Sequence, residues 1–104
     1  MLALGFSISS EEHPANELVK QAKMAEHAGF SFAMISDHFH PWTHRQGNSS
    51  FVWSVLGAIA HATERISIGT AVTCPTVRIH PGVIAQAAAT VASMMPARFM
   101  LGLR

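Results

Sequence analysis

The chain has 104 residues, of which 49% are hydrophobic and 12% are charged, and its formal net charge is +1. This near-neutral charge, without a basic cluster, excludes nucleic acid and anionic membrane surfaces from the predicted partners, and no apolar run reaches the roughly 18 residues of a membrane span. The length bounds residues 1–104 at one small domain. Residues 1–5 lack the charged start of a signal peptide and Cys74 has no second cysteine to pair with, so we expect a cytoplasmic protein.

The first third of the chain predicts a strand, a helix and a second strand. Large and small side chains alternate over residues 2–9, which indicates a strand with one bulky face and one small face. Pro14 begins a helix because its missing N–H costs nothing in the first turn, and Gly29 suits the left-handed residue that ends it. Helical spacing places Glu26 on the outside of this helix. Residues 32–36 form a second strand that is apolar on both faces, which is typical of a parallel strand covered on both sides.

The same alternation continues to the end of the chain. Ser49 and Ser50 are candidate caps of a second helix, whose apolar stripe consists of Val52, Val55, Leu56, Ile59 and Ala62. Residues 66–72 predict a third strand, Pro81 begins a third helix, and residues 98–103 predict a fourth strand. The predicted order is therefore β-α-β-α-β-α-β.

This order predicts an α/β fold with a parallel sheet, because right-handed crossovers place the ends of all strands on one side. Three polar loops lie on that side, at residues 9–13, 37–50 and 73–80, whereas the opposite turns are short. Residues 11–13 are interpreted as a polar loop. We expect Arg78 to be a solvated loop residue, and contact with an anion is the alternative role for it on this side of the sheet. The repeated β-α unit is typical of the (β/α)8 TIM barrel, which needs eight strands and about 250 residues. We therefore expect the truncated first half of such a barrel, with four strands and three helices.

Half a barrel leaves two strand edges and an apolar inner face uncovered, and both features promote association. We therefore expect a homodimer, or association through the exposed sheet edges, in which two halves approximate a closed barrel. In one interpretation the chain is a catalytically incompetent half-barrel that only self-associates.

The chemically most distinctive segment, SDHFHPW at residues 36–42, directly follows the second strand. It contains Asp37, the only Asp of the chain, together with His38, His40 and Trp42. The carboxyl end of a parallel strand is the usual position of catalytic groups in α/β proteins, so we interpret this segment as part of an active site that takes a small-molecule substrate. The simpler interpretation is a turn with a His-rich sequence.

A metal-dependent hydrolase is an alternative, since His38-x-His40 resembles the HxH start of the metal-dependent amidohydrolase barrels. In that family the His pair follows the first strand, whereas here it follows the second. The remaining His and Asp ligands have to come from later strands, and two or three His without a carboxylate cluster are weak evidence for a metal. We therefore predict no metal site.

Four segments together resemble a known family: SDHFHPW (36–42), GTAVTCPT (69–76), IAQA (84–87) and RFMLG (98–102). They are similar to the luciferase-like oxidoreductases that use the deazaflavin coenzyme F-420 (F420 below), and most similar to the branch of the F420-dependent glucose-6-phosphate dehydrogenases. The resemblance runs along the whole chain but covers only the first third of a family member. It implies a (β/α)8 barrel that transfers a hydride between an organic substrate, such as a sugar phosphate, and F420 bound at the mouth of the barrel.

The resemblance also implies roles for individual residues. His38 is the candidate base that removes a substrate hydroxyl proton as the hydride leaves, a task that suits a neutral imidazole. Asp37 orients His38 or contacts the coenzyme, and Trp42 forms a wall of the substrate pocket. Ala71–Val72 matches a non-proline cis peptide behind the coenzyme ring, and Cys74, where relatives often have Thr, completes the predicted coenzyme contacts.

The resemblance leaves two points open. Flavin mononucleotide (FMN) is the alternative coenzyme, as in the luciferase-like monooxygenases proper. In addition, the family carries a catalytic Glu and the coenzyme phosphate contacts after the fourth strand, whereas this sequence stops at Arg104. We therefore expect the isolated chain to be inactive by itself.

Overall fold

The computed structural model describes residues 2–104. Met1, the first of the residues 1–5 on which the signal-peptide expectation rests, lies outside the described residues. The elements alternate as β1 (Gly5–Ile8), α1 (Ala15–His27), β2 (Phe32–Ile35), α2 (Val52–Ala62), β3 (Ser67–Thr70), α3 (Pro81–Met94) and β4 (Phe99–Met100). Adjacent strands pair in parallel in the order β1-β2-β3-β4. The predicted α/β fold of four parallel strands and three helices is therefore confirmed. No helix in residues 2–104 is long and apolar enough to cross a bilayer.

The core lies between the sheet and the three helices. Strand residues on the helix side of the sheet are almost fully buried, namely Ile8, Ala33, Ile35 and Ile68. They belong to one cluster with the helix residues Leu18, Ala22, Leu56, Ile59, Ile84 and Val91. Each fully buried Leu or Ile contributes about 1.5–3 kcal/mol to folding, so the apolar stripes of the helices and the strand residues that they cover stabilise the fold together.

The opposite face of the sheet carries no helix in the described part of the chain. Phe32 and Met34 of β2 are only half-buried there, and Met100 of β4 is exposed. The prediction that β2 is covered on both sides is therefore wrong for this chain, because its second face belongs to a barrel interior that four strands do not enclose. Small residues on this face make room for large neighbours: a Cβ on Gly5 would lie 2.1 Å from the ring of Phe32, with which Gly5 pairs.

All four strands are shorter than predicted, most of all β1 and β4, whose lengths are limited by strand pairing. Residues 2–4 precede β1, because Gly5 is the first residue with a partner on β2. The fourth strand, predicted over residues 98–103, is regular only at Phe99–Met100. The carbonyl oxygen of Gly102 accepts hydrogen bonds from the N–H of Thr73 at 2.7 Å and from the hydroxyl of Thr70 at 3.0 Å, so the regular ladder is interrupted there.

Helix α2 lacks the predicted serine cap. Its N-cap residue is Phe51, and no side chain makes a capping hydrogen bond there. The hydroxyl of Ser49 instead donates to the carbonyl oxygen of His38 at 2.5 Å. The polar residues before α2 therefore fold the loop after β2 back onto its own first residues.

Glu26, predicted to face outward, joins α1 to the turn between α2 and β3. Its carboxylate accepts three successive backbone N–H groups, from Glu64 at 3.0 Å, Arg65 at 2.6 Å and Ile66 at 2.9 Å. Burial raises the pKa of Glu26, but these hydrogen bonds outweigh that effect and lower the pKa below its ordinary value. This contact lies at the opposite end of the sheet from the predicted site, so it contributes to the stability of the fold and not to the site.

Candidate active site

The loops that follow β1, β2 and β3 meet on one side of the sheet, as predicted. Two buried carboxylates connect them: Glu11, in the loop after β1, is 2% exposed, and Asp37, just beyond β2, is 5% exposed. A carboxylate this deeply buried needs hydrogen-bond donors or positive charge around it. The partners of Glu11 and Asp37 therefore define the site.

Glu11 holds the imidazole of His38. One carboxylate oxygen, Oε1, contacts Nδ1 of His38, and the other, Oε2, accepts the hydroxyl of Ser36 at 2.5 Å. Burial raises the pKa of Glu11, but the hydrogen bonds from Ser36 and His38 outweigh this effect and lower the pKa, so Glu11 is ionised at neutral pH. An ionised carboxylate only accepts hydrogen bonds. Nδ1 therefore carries the proton, and in the neutral ring the lone pair of Nε2 is free to accept another.

Asp37 binds the loop that follows β3. Thr73 donates its hydroxyl to Oδ2 of Asp37 at 2.7 Å, and the guanidinium of Arg78 pairs with Oδ1. Arg78 is therefore not a solvated loop residue: it meets an anion, as in the alternative, and that anion is the buried carboxylate of Asp37. The structure also assigns the orientation of His38 to Glu11 rather than to Asp37, whose two oxygens are engaged by Thr73 and Arg78.

Sequence reasoning missed Glu11, although the strand register contains a signal for it. Ile8 pairs with Ile35, and each is the last residue of its strand. Glu11 and His38 both lie three residues beyond this pair, so the parallel strands bring them to the same level above the sheet. Arg78 carries no comparable signal, because it lies eight residues beyond the end of β3.

A cavity of about 230 Å³ adjoins His38, between the loops after β2 and β3. It is lined by His38, Phe39, Ser49, Ser50, Phe51, Arg78 and Ile79. The exposed ring of Trp42 meets the imidazole of His38 edge-on, with the ring centroids 5.2 Å apart. Trp42 is thus positioned to form a wall beside His38, and its contact with a substrate stays a prediction.

His38 and His40 have different partners. The ring of His40 meets that of Phe39 edge-on, with centroids 4.6 Å apart, while Nδ1 of His38 is taken by Glu11. Within residues 2–104, no group of three or more His, Cys, Asp or Glu side chains is arranged to hold a metal ion. The amidohydrolase alternative therefore gains no support from the geometry.

The sequence pattern that defines the luciferase-like monooxygenases matches residues 2–103. The chain belongs to this family. It is 44% identical over 103 residues to an F420-dependent glucose-6-phosphate dehydrogenase of Intrasporangium calvum. It is also 46% identical over 101 residues to an F420-dependent glucose-6-phosphate dehydrogenase of Nocardia farcinica. These matches cover 99% and 97% of the chain but only 31% and 30% of the two relatives.

A solved structure shares the fold of this luciferase-like chain. An F420-dependent secondary alcohol dehydrogenase, in complex with an F420-acetone adduct, superposes with a TM-score of 0.93 at 36% identity. The match covers 97% of the chain and 31% of that protein. The chain therefore spans slightly less than a third of the length of the relatives it matches. The resemblance inferred from the sequence motifs is confirmed, and the four strands correspond to the first half of a (β/α)8 barrel.

Further expectations for a luciferase-like chain concern the segment after β3. The peptide bond between Ala71 and Val72 is cis, as expected. Cys74 is exposed and carries a free thiol. The coenzyme contacts predicted for Asp37, Ala71, Val72 and Cys74 stay predictions.

Proposed function

We propose that this chain supplies part of the active site of an oxidoreductase that passes a hydride from the alcohol carbon of an organic substrate to coenzyme F420. The observation that carries the proposal is the contact between the buried, ionised Glu11 and Nδ1 of His38 at the carboxyl ends of parallel strands. This contact leaves Nε2 of His38 as the proton acceptor. Membership of the family and the names of the three relatives support F420 as the coenzyme.

Of the residues at the predicted coenzyme contacts, the three that follow β3 leave room for a large planar ring, whereas Asp37 is buried and bonded to Thr73 and Arg78. Ala71 and Cys74 are exposed and have small side chains, and Val72 is half-buried, so the chain leaves an open, largely apolar surface beyond β3. The side chain of His38 is 35% exposed on the same side of the sheet. When bound, F420 supplies a ring carbon that takes up the hydride.

In the proposed reaction, His38 takes the proton of the substrate hydroxyl. As the C–H bond breaks and its electron pair leaves with the hydrogen, the O–H bond breaks as well, and its proton passes to Nε2 of His38. The electron pair of the O–H bond forms the carbonyl group. Glu11 stabilises the resulting imidazolium because its negative charge lies against the Nδ1–H group.

For the substrate, we propose an alcohol carbon of a sugar phosphate. Two relatives at 44% and 46% identity are named glucose-6-phosphate dehydrogenases, and the structural relative at 36% identity is named a secondary alcohol dehydrogenase. All three names describe the oxidation of a C–OH group. This is the step for which a fixed imidazole with a free Nε2 is suited.

The test is a fluorescence titration of the purified chain with oxidised F420, with FMN as a parallel ligand. We expect F420 to bind in preference to FMN, and His38→Ala to weaken this binding. If the chain reduces F420 with glucose 6-phosphate, His38→Ala should lower the rate about 10²–10⁴-fold, the usual contribution of a general base. His40→Ala is the matched control, because His40 packs edge-on against Phe39, and it should leave binding and rate unchanged.

Two results would count against this function. A chain that is folded by circular dichroism but binds neither coenzyme contradicts the proposal that it forms part of the site. A preference for FMN favours the chemistry of the luciferase-like monooxygenases proper instead.

A specific observation also favours a second candidate, a catalytically inactive half-barrel that self-associates. The uncovered face of the sheet carries Phe32, Met34 and Met100, and the exposed Leu2 and Leu4 lie beside β1, at one edge of the sheet. Apolar surface and free strand edges promote association. Sedimentation velocity at several concentrations tests this candidate: a dimer that binds no F420 supports it, and a monomer at all concentrations excludes it.

A further inference from the structure

Ser36 joins the ends of β1 and β2 beneath the site. It directly follows β2 and is half-buried. Its hydroxyl oxygen accepts the N–H of Ser10 at 2.9 Å, and its carbonyl oxygen accepts the hydroxyl of Ser10 at 2.7 Å. Because an N–H already donates to the hydroxyl oxygen, the hydroxyl proton is directed to the other partner, Oε2 of Glu11, which lies 2.5 Å away.

This hydrogen bond divides the carboxylate of Glu11 between two donors. Ser36 occupies Oε2, to which the hydroxyl of Ser9 adds only a marginal contact at 3.5 Å. Oε1 is left for Nδ1 of His38. Rotation of the Glu11 carboxylate about its Cγ–Cδ bond would break the contacts with Ser36 and His38 at once. Ser36 therefore fixes the position of the carboxylate oxygen that contacts His38.

We propose that Ser36 is a positioning residue: it holds Glu11 so that His38 keeps its Nδ1–H tautomer and presents an unprotonated Nε2 to the substrate. Ser36 acts only through Glu11 and does not take part in the chemistry itself. The catalytic meaning of this inference rests on the function proposed above. The tautomer of His38, in contrast, depends on no coenzyme and no substrate.

The other groups around His38 are engaged elsewhere. Arg78 lines the cavity beside His38, but its charge is paired with Asp37. On the side of α2, Ser49 donates to the carbonyl oxygen of His38 rather than to its ring. The pKa of Glu11 agrees with this assignment: burial raises it, and the hydrogen bond from Ser36 is the largest of the effects that lower it.

The test compares Ser36→Ala with Ser10→Ala in the full chain of 104 residues by NMR. Each substitution removes one hydroxyl from the same junction, but only that of Ser36 bonds to the carboxylate of Glu11. We expect Ser36→Ala to raise the pKa of Glu11, followed through its carboxyl ¹³C shift, and to populate the Nε2–H tautomer of His38, read from the ring ¹⁵N shifts. Ser10→Ala should leave both signals as in the wild type. Ser36→Thr keeps the hydroxyl and should also give the wild-type signals.

Equal changes in Ser36→Ala and Ser10→Ala, or unchanged signals in Ser36→Ala, would overturn the proposal. If Ser36→Ala does not fold, Ser36→Cys keeps the shape with a much weaker donor and must show the same two changes. Neither signal requires F420. A failure of coenzyme binding would therefore refute the proposed function without affecting the inference about Ser36. Unchanged NMR signals in Ser36→Ala would refute the inference about Ser36 without affecting the proposed function.

Discussion

Replacement of Arg78 by Met should destabilise the chain far more than the loss of an ordinary surface cation. The guanidinium of Arg78 pairs with Asp37, and the two side chains are 23% and 1% exposed. Met keeps most of the apolar length of Arg but leaves the carboxylate with the hydroxyl of Thr73 as its remaining side-chain donor. A buried negative charge then lacks its countercharge.

The expected loss follows from this burial. Removal of one partner of a buried ion pair costs about 3–5 kcal/mol. Because water screens the partly exposed Arg78, and because Thr73 still donates to Asp37, we expect the free energy of unfolding to fall by about 2–3 kcal/mol. With a urea m-value of about 1 kcal/mol per molar for a chain of this size, the unfolding midpoint falls by about 2–3 M.

Urea unfolding followed by circular dichroism measures this loss against two controls. Arg65→Met removes a cation whose partner Glu64 lies 3.9 Å away on the surface, and it should change the free energy of unfolding by less than about 0.5 kcal/mol. Asp37→Asn combined with Arg78→Met also removes the buried charge and should recover part of the loss. If Arg78→Met costs no more than Arg65→Met, the reasoning that Asp37 requires its cation is refuted.

Two further predictions concern the fold. Glu26→Gln should lower the free energy of unfolding by about 1 kcal/mol at pH 7, because a neutral amide accepts backbone N–H groups less strongly than a carboxylate. Folding lowers the pKa of Glu26, so the charged carboxylate contributes to the free energy of unfolding above its ordinary pKa of 4.5. This contribution is lost as the pH falls through the pKa of the folded state. The urea midpoints of the variant and the wild type should therefore converge in acid. Gly102→Ala should cost about 1–3 kcal/mol, because the new Cβ would lie 2.1 Å from the carbonyl oxygen of Thr70, a backbone atom that cannot rotate away. Gly5→Ala places its Cβ equally close to the ring of Phe32, but it should cost less stability because this ring can turn into the uncovered face of the sheet. Thermal unfolding compares the losses of stability of the two variants. A larger loss for Gly5→Ala than for Gly102→Ala would contradict this explanation.

The order of the elements and the side of the sheet that carries the site were determined by the sequence alone. The period of two and the helical spacing are local properties, and Pro14 and Pro81 stand where α1 and α3 begin. The handedness of the crossovers then places all three polar loops on one side. His38 and Trp42 lie together there, as the SDHFHPW segment indicated.

Only the tertiary structure decided which polar side chains meet. Glu11 is 27 residues from His38, and Asp37 is 41 residues from Arg78, so no local pattern distinguishes Glu11 from the exposed Glu12 beside it. A carboxylate becomes buried and stays ionised only where the fold brings donors to it, and those donors lie on other strands and loops. The burial of a strand face also depends on the tertiary structure. Apolar residues show that a face such as the second face of β2 can be buried, but the elements packed around it decide whether it is.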